Sequence, residues 1–132
     1  MKNILLLTFS ALVFMTSCQK EEAPVTTTNP ATTPAVRNIQ VDYTIYAASG
    51  DVEVIAKIED NGSLIEKTFQ ITKMNHTISF STKSQQILLV KARNTNPSHD
   101  EVMVSIYVDG LLFRSNSTTA TNSWATATGS PQ

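Results

Sequence analysis

"VMVSIYVDGLLFRSNST", residues 102–118, decides the fold. Val102, Val104, Ile106 and Val108 alternate with Met103, Ser105 and Tyr107. That two-residue period is the mark of a strand with one buried face. Asp109-Gly110 follows, a pair that supplies the positive φ angles of a two-residue hairpin. "LLFRSNST" then returns as the partner strand.

Working outward, the same grammar repeats. "IQVDYTIYA" (39–47) puts Ile39, Val41, Tyr43, Ile45 and Ala47 on one face, and Gln40, Asp42, Thr44 and Tyr46 on the other. Ser49-Gly50-Asp51 reads as a turn. "VEVIAKI" (52–58) has Val52, Val54, Ala56 and Ile58 in phase. Asn61-Gly62 is the strongest local hairpin signal in the chain. "LIEKTFQI" (64–71) points Ile65, Phe69 and Ile71 inward. Lys67 shares that face, which predicts a position near a strand end. "HTISFST" (76–82) offers Ile78 and Phe80. "QQILLVKA" (85–92) is continuously apolar from Ile87 to Val90, which predicts a central strand covered on both sides. "RNTNPSHDE" is a polar turn. The tail after residue 118 is small and β-prone, with Trp124 its only large residue and its last few residues expected to fray. Seven or eight short strands with turns every 8–12 residues predict an all-β domain over residues 37–129. A β-sandwich of about seven antiparallel strands fits best, with a small barrel as the alternative.

Upstream of residue 37 the composition changes. Residues 19–36, "QKEEAPVTTTNPATTPAV", carry three Pro and five Thr, with Val25 and Val36 the only large apolar side chains. Such a stretch cannot bury a core. Its prolines favour extended polyproline II, at about 3.1 Å per residue a reach of up to roughly 55 Å. Earlier still, Met1-Lys2-Asn3 is a short positive start, and "ILLLTFSALVFM" (4–15) is uncharged. A bilayer-spanning helix takes about 20 apolar residues, so residues 1–17 have the anatomy of a signal peptide instead.

Cys18, the only cysteine, follows directly. "MTSC" resembles the lipobox of bacterial lipoproteins, with Thr16 and Ser17 as its small residues and Met15 where Leu is usual. The resemblance implies signal-peptidase recognition of Met15, Thr16 and Ser17 and cleavage before Cys18. It implies covalent diacylglycerol and N-acyl lipid on Cys18, and a membrane partner through that anchor. The plain alternative is a free thiol at the end of a secretory signal. The next residues, Gln19, Lys20, Glu21 and Glu22, are similar to the surface-export signal of Bacteroidota lipoproteins. That likeness implies an outer-membrane lipoprotein exposed at the cell surface; a solvated charged cluster on a periplasm-facing protein would read the same way.

A second resemblance covers roughly residues 39–129. "VDYTIY" (41–46), "LLVKARN" (88–94) and "SIYVDGLLFRSNSTTATNSWATATGS" (105–130) are similar to segments of the mycobacterial membrane protein small (MmpS) family. It implies an Ig-like sandwich and, through that family's role, an accessory subunit of an envelope export system with a transporter partner. The chain departs from the family at Thr119-Ala120-Thr121-Asn122, where a Ser-Gly-x-Tyr type turn is usual, and in carrying a lipobox rather than a transmembrane helix.

Composition narrows the chemistry. The net charge is −1, and removing residues 1–17 leaves nine basic side chains against eleven acidic, or −2. No Lys/Arg run suggests nucleic acid. One cysteine allows neither an internal disulfide nor a Cys-based zinc site. His99-Asp100-Glu101 and His76 do not form a converging ligand set, so no metal and no further cofactor is expected. The paired carboxylates flank turns, and no nucleophile elbow occurs, so the expectation is not an enzyme. Tyr46, Tyr107 and Trp124 are the candidate binding residues. Exposed aromatics anchor interfaces, and they also serve simply as cross-strand packing.

Overall fold

The computed structural model describes residues 33–48, 51–96 and 100–132. Residues 1–32, with Cys18 and both address segments, lie outside that range, as do Ser49, Gly50 and His99. The described chain is all-β. Its strands are β1 (Asn38–Ala47), β2 (Val52–Asp60), β3 (Ser63–Ile71), β4 (Asn75–Lys83), β5 (Leu88–Asn94), β6 (Val102–Val108), β7 (Leu111–Thr118) and β8 (Ala125–Gly129).

Two four-stranded antiparallel sheets form, in the orders β4-β1-β6-β7 and β3-β2-β5-β8. The result is a sandwich of eight strands, within the seven or eight expected, and the barrel alternative falls away. Consecutive strands β1 and β2 sit in different sheets, and so do β4 and β5. β1 pairs β4 while β2 pairs β5, as strands B, C, E and F pair in an immunoglobulin domain. β6 and β8 then flank β1 and β5.

Alternation places the core. The inward rows of β1, β2 and β6 are buried throughout, apart from Ile58 at the far end of β2, and Leu88, Val90, Ala92, Ala125 and Ala127 face them from β5 and β8. Both hairpin signals form as read. Asn61 and Gly62 have φ of 51° and 88°, and Asp109 and Gly110 of 51° and 79°. Those values are costly for ordinary side chains and free for glycine.

Tyr43 ties the sheets together. It is fully buried on β1, and its ring meets Phe80 edge-on at 5.2 Å. The β2–β5 ladder stops at Ala56 opposite Val90. At the next step, where Lys57 faces Leu89, the phenol is spliced into the gap. Leu89 N–H donates to the Tyr43 hydroxyl (3.2 Å), which donates to the Lys57 carbonyl (2.9 Å). One side chain from the first sheet thus replaces a backbone hydrogen bond of the second. Burial pushes the phenol up to about 12, against a smaller downward pull from the Leu89 amide.

Four sequence expectations need correction. Ile65, expected inward, is exposed, because it pairs with Ile58 on the part of the β2–β3 hairpin beyond the last β2–β5 pair. β5 is central in its sheet, but its outer face has no covering layer: Leu89 is half-buried there, and Ile87 lies outside the strand, exposed. Lys67 lies mid-strand, opposite Ala56. Its stem lies on the inward face of an edge strand while its ammonium reaches Asp60 at 3.0 Å, the usual way a long cationic side chain shares an apolar face. The C-terminal residues are tied down: Pro131 is buried, and its carbonyl accepts from Gln85 N–H at 2.7 Å. A bulge between Ile106 and Tyr107 in the β6–β7 ladder also leaves Phe113 as an extra residue. The Phe113 ring lies so close to Gly129 that a Cβ there would meet it at 2.9 Å.

Candidate functional site

Tyr46 and Tyr107 share one surface, the outer face of the β4-β1-β6-β7 sheet. Strand pairing builds it in rows. Asn75, Tyr46, Met103 and Ser117 form one row; Thr77, Thr44, Ser105 and Ser115 the next; Ser79, Asp42, Tyr107 and Leu112 the third. Tyr107 faces Asp42 on β1, four residues from Tyr46. At about 3.3 Å per residue the two tyrosines stand roughly 13 Å apart along the strands.

Between them runs the hydroxyl row. Ser115 donates to the Val104 carbonyl (3.2 Å), so the Ser105 hydroxyl donates to Ser115 (2.8 Å). Ser105 is buried although it lies on an outward phase, because its neighbours on that face cover it. Ser81 donates to Gln40 Oε1 at 2.9 Å, extending the polar surface. Among the described residues of this face only Asp42 and Lys83 are charged. Two half-exposed phenols framing a hydroxyl band suit a neutral ligand rich in hydroxyls or amides.

Trp124 belongs elsewhere. It precedes β8, and continuing the β5–β8 register sets it opposite Arg93 on the outer face of the other sheet. The Arg93 guanidinium lies 4.7 Å from its ring centroid and the Lys91 ammonium 5.2 Å, both within cation–π range. Arg93 also pairs with Glu53, Nη2 to Oε2 at 2.6 Å. The indole is therefore engaged by the chain's own cations, in a row that continues through Arg93 and Glu53 to Gln70. The structure joins two of the three candidate aromatics and separates the third.

Sequence reasoning does not single out Lys91 or Arg93, and reads Glu53 only as one of the turn-flanking carboxylates. The signal is present in "LLVKARN": Lys91 and Arg93 alternate with buried Val90 and Ala92, so both must face outward. What sequence cannot supply is that Trp124 lands beside them, because that depends on β8 pairing β5 rather than β7.

His76, half-buried near the start of β4, lines a recess of about 230 Å³ with Phe69, Ile71 and Lys73. His99 is outside the described residues. Among the described residues no group of three or more His, Cys, Asp or Glu is placed to hold a metal ion. No protein-family model matches the chain, and no curated protein matches it.

Proposed function

We propose that this chain is a lipid-anchored lipoprotein of the cell envelope, held in the outer membrane through Cys18 and displayed at the cell surface. Its sandwich is a non-catalytic binding module, with the Tyr46/Tyr107 face as its contact surface. The observation that supports this reading is the common placement of both outward tyrosines on one nearly uncharged, hydroxyl-rich sheet. Phenols give large contact area with little loss of side-chain freedom, and such residues dominate interface energies.

The test is capture from envelope extract with the wild-type domain and with Tyr46→Ser/Tyr107→Ser. Both side chains are half-exposed, so the double variant keeps its thermal unfolding curve. A component retained by wild type and lost with the double variant supports the face; equal retention removes it. The address is tested separately. Replacing Lys20, Glu21 and Glu22 with Ala should shield the domain from protease on whole cells, and unchanged digestion would sink the surface reading.

A further inference from the structure

Among the described residues, seven large apolar side chains are exposed: Val36, Ile65, Met74, Ile87, Met103, Leu111 and Leu112. Five of them gather at one end of the sandwich. The registers define that end. The start of β1 lies opposite the end of β4, the end of β6 lies beside the start of β1, and the start of β5 faces the end of β8. Backbone bonds knit these termini together: Ser84 N–H to the Arg37 carbonyl at 2.7 Å, Gln85 N–H to Pro131 at 2.7 Å, and Asp109 N–H to Gln40 at 2.9 Å.

Val36 leads into β1 here. Ile87 sits in the β4–β5 loop, and Leu111 and Leu112 lie just past the Asp109-Gly110 turn. Ile65 follows the Asn61-Gly62 turn, on the part of the β2–β3 hairpin that overhangs the start of β5. Leu111 is 75% exposed, Leu112 and Ile87 59%, and Val36 57%. A groove of about 280 Å³ runs between Arg37, Leu111, Leu112 and Pro131.

The fold gives no reason for two adjacent leucines on a hairpin tip, and concentrated exposed apolar surface marks a contact. The identity of the contact follows from where the chain enters. Thr33 to Val36 run directly into β1, so the described chain enters the sandwich at this end. Charge points the same way. Arg37 is paired with Asp109 at 2.6 Å and Lys67 with Asp60 at 3.0 Å, and Arg114 lies over the Phe113 ring, so of the described cations near these side chains Lys83, at the end of β4, is the one without such a partner.

We propose that this end docks on the lipid surface, with Leu111 and Leu112 seated at the boundary between head groups and acyl chains and Ile87 and Val36 beside them. Interfacial binding of this kind scales with buried apolar area. The proposal rests on the lipid-anchor reading only for what brings a bilayer within reach. A tether spanning up to roughly 55 Å turns the encounter into an intramolecular one, so a weak intrinsic affinity suffices. The strands then stand off the membrane, with Tyr107 beside Leu112 near the lipid surface and the Tyr46 end of the same face farther out.

The test uses residues 19–132, which lack the cysteine and therefore any lipid. All eight strands and the whole core lie within residues 33–132, so this chain has what it needs to fold. It is floated with zwitterionic phosphatidylcholine/phosphatidylethanolamine vesicles of zero net charge. The expected result is measurable retention that falls about tenfold or more in Leu111→Ser/Leu112→Ser. Retention should not change when salt is raised, since no free charge is called upon. Absence of wild-type retention, equal retention of the double variant, or loss with salt alone overturns the proposal. So does a vesicle-free dimer that the double variant dissolves, because the face would then be a contact between copies. Palmitate labelling of the full chain reports on the anchor independently, which separates failure of docking from failure of anchoring.

Discussion

Tyr43→Phe isolates one hydroxyl. The ring remains, its edge-on contact with Phe80 remains, and no cavity opens, so the cavity cost of core truncation does not arise. What disappears is the link between Leu89 N–H and the Lys57 carbonyl, at 3.2 and 2.9 Å. Two backbone groups at the interior end of the β2–β5 ladder lose their partner. Leaving buried polar groups unsatisfied costs about 1–3 kcal/mol. For a domain near 100 residues each kcal/mol shifts Tm by roughly 4–8 °C, so the variant should melt about 5–20 °C lower at neutral pH. The alkaline limb adds a second reading. The phenol titrates at about 12 in the folded chain against an ordinary 10.0. The native state therefore holds this proton more tightly than the unfolded state does. Its stabilisation is complete below pH 10 and is lost as pH rises to 12, about 2.7 kcal/mol for a shift of about two units. The phenylalanine variant has no such proton. Chemical denaturation of both proteins from pH 7 to 12 should show a gap that is widest at neutral pH and closes toward pH 12. Equal stability at neutral pH, or a gap constant across the range, would refute the spliced hydrogen bond.

Other outcomes follow from the same geometry. Ile106→Ala, at a fully buried position of β6, should lower stability by about 2–5 kcal/mol, whereas Leu111→Ala should stay within about 0.5 kcal/mol; urea midpoints compare them directly. Asp109 accepts from Arg37 and from the Gln40 amide, and these bonds, Arg37 first, hold its carboxyl below the ordinary carboxylate range. Its contribution is present above that range and is lost as pH falls through the depressed value. A carboxyl NMR titration should show a low midpoint that Arg37→Ala raises only partway, since the Gln40 amide remains; an unchanged midpoint would contradict the pairing.

Much of this fold is legible in the chain because one-sided burial writes a two-residue period. β1, β2 and β6 carry it without a break, and the two X-Gly turns fix where strands reverse. The failures have physical causes. Lys67 looks misplaced only if an inward phase must mean a dry core; on an edge strand the stem packs while the ammonium reaches Asp60. "ILLV" reads as doubly covered, yet Ile87 sits in the loop before β5 and Leu89 is half-buried beside the Tyr43 hydroxyl. The phase of Tyr43 marks it as buried, but its partner comes from a ladder gap between β2 and β5 that only the assembled sheets create. The candidate site shows the same division. Outward phase finds Tyr46 and Tyr107, and sheet order decides that they share a face while Trp124 does not. Leu111 and Leu112 read as ordinary strand residues until the registers place them at the end where β1 begins.

Lipid attachment at Cys18 is decided by one measurement: metabolic labelling with palmitate, followed by the mass of the purified chain. Wild type should incorporate label and lack residues 1–17, while Cys18→Ser should remain a full-length, unlabelled precursor. Label on the Cys18→Ser chain, or an unlabelled wild type, would contradict the lipoprotein reading.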